Sequence, residues 1–343
     1  MTELSAGRPI EKPHHPVGHR SVSLVDSARP DRRLGVEVWY PAVDCAALRT
    51  VYEVLPGVAF SAATAQQSAP ARSGRFPVVL FSHGRTGMRI SYSMVCEALA
   101  ARGAVVFAPD HPGDALMDWM LGQHTDDRTN EVNRVADAHF LLSALLTGNS
   151  PLPTDVNEAM DPDRIVLAGH SYGAFTALAT AAGSRGVEAH ELVRAVMVFQ
   201  GYTRMMSDAL LGRVRVPSLL VVSEQDLVAL PAIDADRPWS LLQGTPAWRI
   251  DLAGGGHQAI SDIALYAELA QHVPDLPDIV RDYLVATAAG SETAAGRGWR
   301  ELMQLQVRAA WAFLQVALDM DHQAGEAEAV RLAATDGVTV RRR

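Results

Sequence analysis

The sequence contains few of the residue types that hold metals through sulfur or form Schiff bases. Cys45 and Cys96 are its two cysteines among 343 residues, too few for a disulfide scaffold or for a zinc or iron–sulfur site built on thiolates. Lys12 is its one lysine, which excludes a Schiff-base lysine in a buried site and the lysine of a Walker-type phosphate loop. The chemistry therefore has to come from other side chains.

Positive charge is also scarce. The formal net charge is −9 and the pI about 5.7, so no strong basic field attracts nucleic acid or an anionic membrane. The one basic run, Arg341–Arg343, is predicted to be a frayed tail. No apolar run approaches the roughly eighteen residues of a membrane span, and residues 1–20 lack the apolar stretch of a secretory signal. These features predict a cytoplasmic protein with no nucleic acid partner and no membrane span.

Apolar patterning predicts an α/β fold. With 48% hydrophobic residues, a chain of this length buries a sizeable core. From Phe76 onward, short continuous apolar runs alternate with amphipathic helical segments, which is typical of parallel strands covered on both faces. An N-terminal antiparallel hairpin precedes them. We expect a mostly parallel central sheet of about eight strands, at residues 21–25, 34–40, 77–82, 104–108, 164–168, 193–199, 218–222 and 248–252.

The predicted organisation is one α/β domain with short flanking and inserted segments. Residues 55–74 are rich in Ala, Ser, Gln and Pro and are interpreted as an exposed connection. The predicted bounds are an N-terminal strap at 1–19, the domain at 20–322, a candidate lid at 114–128, a helical insertion at 273–298 and a C-terminal tail at 323–343.

One motif has the context of a catalytic nucleophile. The predicted strand at 164–168 continues into Gly169-His170-Ser171-Tyr172-Gly173, and a helix of small residues follows. In a strand-turn-helix around GxSxG, the serine lies on a strained turn with its hydroxyl above the sheet, and the glycines let neighbouring backbone approach. Ser171 is therefore the predicted nucleophile. The alternative is a glycine-rich turn with an idle serine.

A serine nucleophile needs a base, and in folds of this kind the partners follow in the chain order serine, acid, histidine. His257 lies in the glycine-rich loop Gly254–Gln258, after the last predicted strand, where it can reach Ser171. The other downstream histidines lie in a charged helical stretch, at a helix end and in the polar tail; they are His190, His272 and His322. His257 is the predicted base.

The acid has two candidates. Asp226 lies just beyond the strand at 218–222, the usual position of the carboxylate that orients the histidine and stabilises its cation. Glu224 lies two residues earlier. Position favours Asp226, although both carboxylates could instead be solvated loop charges.

The negative charge on a reacting carbonyl oxygen needs backbone donors. These are usually the amide after the nucleophile and one from the loop after the third strand. The predicted donors are the amides of Tyr172 and Arg85, the latter brought close by the glycines of the loop Ser82–Gly87. The Arg85 side chain is expected to face solvent.

Two segments are candidates for the substrate pocket. Adaptable apolar side chains at 115–121 follow the fourth predicted strand near the mouth of the site, where they could line an acyl pocket, act as a lid or simply pack on the sheet. Residues 202–206 would complete the pocket from the other side. The candidates are Met117, Trp119, Met120, Tyr202, Met205 and Met206.

Four segments taken together resemble the α/β-hydrolase superfamily, and within it the plasma-type platelet-activating factor acetylhydrolases and their bacterial dienelactone-hydrolase-like relatives. They are VEVWYPA at 36–42, FSHGRTGMRISYSMVCEALAARGAVVFAPDHPG at 81–113, DRIVLAGHSYGA at 163–174 and HQAISD at 257–262. The resemblance implies a serine esterase without metal or organic cofactor, with Ser171 and His257 as nucleophile and base and the Arg85 amide in the oxyanion hole.

The chain departs from the plasma-type pattern at the acid. Those relatives have it after the sixth strand, where this chain has Gln200, and an amide cannot stabilise an imidazolium as a carboxylate does. Either the acid has moved to Asp226 or the triad is impaired. Dienelactone hydrolases proper use a cysteine nucleophile, so their activity is not expected here.

The predicted function is hydrolysis of a carboxylic ester through an acyl-enzyme, with a small-molecule ester of short or compact acyl group as substrate. The same triad could instead serve amide hydrolysis, acyl transfer or biosynthetic cyclisation, and the sequence does not separate these. A third alternative is a binding module that has kept the fold but lost turnover. Ser171 and His257 argue against it, and the oligomeric state is left open.

Overall fold

A computed structural model describes residues 4–55, 58–146, 150–274, 276–289 and 297–343. In these residues the strands are β1 (Val17–Val25), β2 (Arg33–Pro41), β3 (Arg49–Leu55), β4 (Val58–Gln67), β5 (Phe76–Ser82), β6 (Val105–Pro109), β7 (Met160–His170), β8 (Val193–Phe199), β9 (Ser218–Ser223), β10 (Ala247–Leu252) and β11 (Val338–Arg342). The helices are α1 (Ser93–Arg102), α2 (Leu116–Met120), α3 (Asp127–Leu146), α4 (Thr154–Ala159), α5 (Tyr172–Ala182), α6 (Asp208–Leu211), α7 (Arg237–Leu241), α8 (Ile263–Ala270), α9 (Asp278–Ala288), α10 (Trp299–Ala317) and α11 (His322–Ala333), with a π-helical turn at Ala232–Asp236.

The strands form one sheet in the order β11-β10-β9-β8-β7-β5-β6-β2-β1-β4-β3. Its centre, from β6 through β5, β7, β8 and β9 to β10, is parallel. The hairpin β1–β2 joins antiparallel through β2 to β6. This confirms the predicted mostly parallel sheet with an N-terminal antiparallel hairpin.

Both faces of the sheet are buried, which is why the central strands are continuously apolar. Successive residues point to opposite faces: in β5, Leu80 packs in one core with Phe175 of α5. Phe81 packs in the other core with Leu99 of α1 and Phe313 of α10. Helices α3 and α5 therefore cover one face, and α1 and α10 cover the other.

The eight predicted strands all form, and the described residues contain three more, β3, β4 and β11. Residues 55–74 were expected to be an exposed connection, and this prediction is wrong. Strand β4 occupies half of the segment, and its Phe60 and Ala65 are buried. The buried carboxylate of Glu97 in α1 accepts hydrogen bonds from the amides of Thr64 and Ala65, at 2.6 and 3.1 Å, so small side chains here allow close packing of β4 on α1.

The C-terminal segment is also ordered, contrary to the prediction of a tail at 323–343. Helix α11 packs through Leu332, which is fully buried, and β11 pairs antiparallel with β10. Arg341 and Arg342 lie in that strand, opposite Arg249 and Trp248. The basic run is thus an edge strand, whose charged side chains are compatible with exposure on its outer side.

Both segments that the sequence predicts as insertions contain a helix. The candidate lid at 114–128 contains the short helix α2, and the insertion at 273–298 contains α9, with residues 275 and 290–296 outside the described residues. Of the predicted strap at 1–19, residues 1–3 are outside them as well. Ser5 bridges to Ser61 of β4, and Val17 already belongs to β1.

Candidate active site

Ser171 lies on a sharp turn between β7 and α5. Its backbone has φ 53° and ψ −119°, a left-handed conformation that is strained for a residue with a Cβ. The flanking glycines explain how the turn is accommodated. A Cβ on Gly169 would lie 2.2 Å from the carbonyl oxygen of Gly173, and one on Gly173 would lie 2.0 Å from that of Ser82. The motif therefore has the strand-turn-helix geometry that the sequence predicts.

The structure brings Ser171, His257 and Asp226 together. His257 Nε2 lies 2.8 Å from Ser171 Oγ, and His257 Nδ1 lies 2.7 Å from Asp226 Oδ2. The Ser171 hydroxyl can thus donate to a neutral imidazole whose other nitrogen donates to the carboxylate. This is the relay required of a serine nucleophile and its base.

Asp226 is the carboxylate at His257, and the two alternatives lie elsewhere. Its second oxygen, Oδ1, accepts hydrogen bonds from the amides of Val228 and Ala229, both at 2.8 Å, which fix the carboxylate in a buried position. Glu224 is exposed. Gln200 is buried and donates from Nε2 to Ser223 Oγ at 3.0 Å rather than to His257.

Two amides are available beside Ser171. In the described part of the chain, neither the Arg85 amide nor the Tyr172 amide donates to a protein acceptor, whereas the Gly84 amide donates to the Tyr92 hydroxyl at 3.1 Å. Because Tyr172 opens α5, its N–H also lies at the positive end of that helix. These are the two donors predicted for the oxyanion.

The Arg85 side chain is not free in solvent, in contrast to the expectation. Its guanidinium lies 4.7 Å from the centre of the Tyr172 ring and donates to Asp127 Oδ1 at 2.6 Å. Behind it, the fully buried Arg134 donates to Asp114 Oδ2 at 2.8 Å and to the carbonyl oxygen of His83 at 2.8 Å. Arg134 thereby fixes the loop that presents the Arg85 amide.

A second, buried Ser-His-Asp cluster, formed by Ser82, His111 and Asp137, lies where β5 ends and the same loop begins. His111 contacts Asp137 Oδ2 through Nδ1 at 3.0 Å and Ser82 Oγ through Nε2 at 3.1 Å. Burial is the largest effect on His111 and lowers its pKa to about 4. Burial raises the pKa of Asp137, but hydrogen bonds from Arg32 and His111 outweigh this and lower it to about 2. Since these side chains are shielded from solvent, the cluster fixes the end of β5 rather than reacting.

Sequence reasoning missed His170, the residue before the nucleophile. His170 Nε2 donates to the carbonyl oxygen of His257 at 2.7 Å, and its Nδ1 lies 2.8 Å from the Tyr92 hydroxyl. The Tyr92 hydroxyl in turn accepts from the Gly84 amide. One series of hydrogen bonds therefore joins the loop Ser82–Gly87, which presents the Arg85 amide and is called the oxyanion loop below, to the loop that carries His257. In the sequence, the one indication of a role for His170 is its position directly before Ser171 in the GxSxG motif.

The predicted pocket residues do not line the space at the triad. That pocket, of about 100 Å³, is lined by Ser171 and His257 together with residues of the 84–92 loop, of α8 and of α9. Met117 lines a separate cleft of mixed polar and apolar lining instead, and Met120 lines an apolar cavity. Trp119 stacks on His124 at 3.9 Å. Tyr202 contacts Arg204, Met205 packs against the core and Met206 is buried in it.

The described residues contain neither a metal-binding cluster nor a membrane-spanning helix. No group of three or more His, Cys, Asp and Glu side chains there is arranged to hold a metal ion. Among the same residues, no helix combines the length and apolar character needed to span a bilayer.

The central part of the chain is similar to known proteins. Residues 61–198 match the family described as Chlorophyllase. Over 110 residues the chain is 32% identical to "Chlorophyllase-1, chloroplastic" of Citrus unshiu and, equally, of Citrus sinensis. These alignments cover 32% of this chain and 30% of each relative, so the chain spans under a third of the length of the curated relatives that it matches.

A solved structure matches over almost the whole chain. The ferulic acid esterase from Streptomyces cinnamoneus superposes with a TM-score of 0.69 at 23% identity, covering 90% of this chain and 92% of that chain. The predicted α/β-hydrolase fold is thereby confirmed, while membership of the superfamily and the finer likeness to platelet-activating factor acetylhydrolases stay predictions. The chain is an α/β-hydrolase by fold, and its central part is similar to the chlorophyllase family.

Proposed function

We propose that this protein is a serine-dependent carboxylic ester hydrolase that works through an acyl-enzyme. The observation that supports this most directly is the connected series Asp226, His257 and Ser171, with contacts of 2.7 and 2.8 Å, next to the unbonded amides of Arg85 and Tyr172. Each part required for acyl transfer is therefore present around Ser171. The similarity to proteins named chlorophyllase and ferulic acid esterase points to the same reaction class.

Acylation follows from this geometry. Ser171 Oγ attacks the ester carbonyl carbon as His257 Nε2 takes its proton, and Asp226 stabilises the imidazolium through Nδ1. The Arg85 and Tyr172 amides donate to the oxyanion. When the intermediate collapses, the carbon–oxygen bond to the alcohol breaks and His257 returns the proton to the leaving oxygen.

Deacylation repeats the steps with water. His257 takes a proton from the attacking water, the oxyanion forms again in the same place, and the bond to Ser171 Oγ breaks as the proton passes back to that oxygen. The products are a carboxylic acid and free enzyme. Amide hydrolysis, acyl transfer and cyclisation would use the same acylation step, and no feature of the described site favours one of them.

The proposal is tested by covalent labelling and turnover together. A fluorophosphonate should add one adduct to the wild-type protein in an intact-mass spectrum and none to Ser171→Ala. Hydrolysis of p-nitrophenyl acetate should fall by at least about a thousandfold in that variant. The matched control is Ser240→Ala, which alters an exposed serine. Equal labelling of wild type and Ser171→Ala would refute the nucleophile, and a wild type with neither label nor turnover would favour the silent binding module.

A further inference from the structure

An apolar cavity of about 480 Å³ adjoins the triad pocket; we call it the apolar chamber. Its walls come from the β3–β4 hairpin, α2, α8 and α9. Five residues line both the chamber and the triad pocket, so the two spaces adjoin along these shared side chains: Thr86, Ser91, Ile263, Tyr266 and Tyr283. The volume lies within the roughly 300–1,000 Å³ of sites that bind drug-sized molecules.

The chamber lining is hydrocarbon, with few polar atoms. No acidic or basic side chain is among the described residues that line it. On its inner side the rings of Phe60 and Tyr266 pack 5.9 Å apart. The Tyr266 hydroxyl donates to the carbonyl oxygen of Ile90 at 3.0 Å, which satisfies its polar end within the protein. A polar or charged ligand would lose its hydration here without gaining partners.

Helix α9 forms the outer wall with an apolar face. Ile279, Val280, Tyr283 and Leu284 recur at helical spacing and line the chamber, as expected of residues three and four apart on one helix face. Ile279 and Tyr283 are 79% and 61% exposed. Large apolar side chains held this open to solvent beside a cavity are typical of a ligand or partner surface.

We propose that the chamber binds an extended or bulky hydrocarbon arm of the ester whose carbonyl is held at Ser171. The shared lining of the chamber and the triad pocket favours this occupant over a protein partner, because the chamber is the apolar space next to an ester bound at Ser171. The substrate class is thus an ester with a large apolar group, in place of the short or compact ester expected from the sequence. This inference rests on the proposed hydrolase function.

A chain-length series tests the proposal. Burial of one methylene contributes about 0.8 kcal/mol, which is about fourfold in an equilibrium or rate constant. We expect kcat/KM to rise about fourfold per added methylene for the acyl series p-nitrophenyl acetate, butyrate, hexanoate and octanoate if the arm is the acyl group. The alcohol series ethyl, butyl, hexyl and octyl acetate, followed by titration of released acid, should show the rise if the arm is the alcohol.

Two positions on α9 give a matched pair of variants. Val280→Trp fills part of the chamber, whereas Val285→Trp adds the same side chain on a half-exposed position of the same helix that does not line it. Val280→Trp should lower the octyl-to-short ratio of kcat/KM at least tenfold. Val285→Trp should leave both the ratio and the short-ester rate at wild-type values. Leu284→Gln, which adds no volume, should lower the ratio by making the wall polar.

The outcomes separate this inference from the proposed function. Hydrolysis of short esters without preference for longer arms in either series would overturn the chamber assignment and leave the hydrolase proposal standing. Absence of fluorophosphonate labelling and of all turnover would instead refute the hydrolase. If Val280→Trp changes the mass in solution by light scattering and not the ratio, the face is a contact between copies of the chain, and the proposal is wrong.

Discussion

The histidine before the nucleophile, His170, donates from Nε2 to the carbonyl oxygen of His257 at 2.7 Å. Burial, and after it the repulsion that a protonated His257 would exert, holds the pKa of His170 well below its usual range, so its ring is neutral at physiological pH. A neutral ring that donates from Nε2 must accept at Nδ1, where the Tyr92 hydroxyl lies. His170 is therefore a positioning residue for the His257 loop.

Loss of this contact should weaken the chemical step. We predict that His170→Phe lowers kcat for p-nitrophenyl acetate by about ten- to a hundredfold, with a smaller change in KM, because the His257 loop loses its anchor. His170→Gln, whose amide can still donate to the carbonyl, should recover part of the loss. His190→Phe is the control, since His190 lies next to His139 and away from the triad. A wild-type kcat in His170→Phe would contradict the positioning role.

The acid is tested by three amide or apolar replacements measured side by side. Asp226→Asn should lower kcat by at least a hundredfold, scaled down from the ten-thousandfold loss known for the equivalent change in a serine protease. Glu224→Gln should keep most activity because Glu224 is exposed. Gln200→Ala should also keep most activity once folding is checked. If none of the three variants is impaired, the triad reduces to a dyad of Ser171 and His257.

Local and sequential signals made the grouping of Ser171, Asp226 and His257 predictable. The turn at Ser171 depends on neighbours within a few residues, and the order serine, acid, histidine ranks the remaining candidates by their place after strands. The choice between Asp226 and Glu224 needed the structure. The side chains of these two loop residues point in different directions, and only the Asp226 carboxylate reaches His257. Gln200, at the position expected from the resemblance to hold the acid, bonds to Ser223 instead of His257.

The parts that were missed depend on contacts between distant segments. Strand β4 is rich in alanine and β11 in arginine, and neither has a strong strand pattern; pairing with β3 and β10 makes them strands. The apolar chamber combines a hairpin near residue 55 with α9 more than 200 residues later. Met117 and Tyr202 follow strands, as pocket residues often do, but Met117 lines a separate cleft and Tyr202 contacts Arg204.

The close approach of Gly173 to β5 gives a sharp stability test. A Cβ at this position would lie 2.0 Å from the carbonyl oxygen of Ser82, a backbone atom that cannot move without disturbing the oxyanion loop. We predict that Gly173→Ala yields little folded protein, or folded protein with its melting temperature lowered by several degrees and no esterase activity. Gly298→Ala is the control, because a Cβ there meets nothing within 4 Å. Wild-type melting of Gly173→Ala would show that the turn can open.

The loop that holds His257 ends at Asp262, a fully buried carboxyl. Its Oδ2 accepts from the Ser93 hydroxyl at 2.6 Å and from the Met94 amide at 3.4 Å, while Oδ1 has no hydrogen-bond partner in the described structure. Burial is the largest effect and raises the pKa of Asp262 to about 7, against an ordinary value of 3.8. The folded protein therefore keeps the proton on Asp262 at pH values where the unfolded chain has lost it.

This difference makes stability depend on pH in a defined direction. Because the pKa of Asp262 is raised on folding, its protonated form contributes stability that is complete below about pH 4 and is lost as the pH rises through about 7. Asp262→Asn cannot ionise and does not lose this contribution as the pH rises. The free energy of unfolding of Asp262→Asn, minus that of the wild type, should therefore increase by about a few kcal/mol between pH 4 and pH 8. Urea unfolding at both pH values measures the difference, with the exposed Asp31→Asn as control. A constant difference between Asp262→Asn and wild type would mean that Asp262 is already ionised in the folded protein at pH 4.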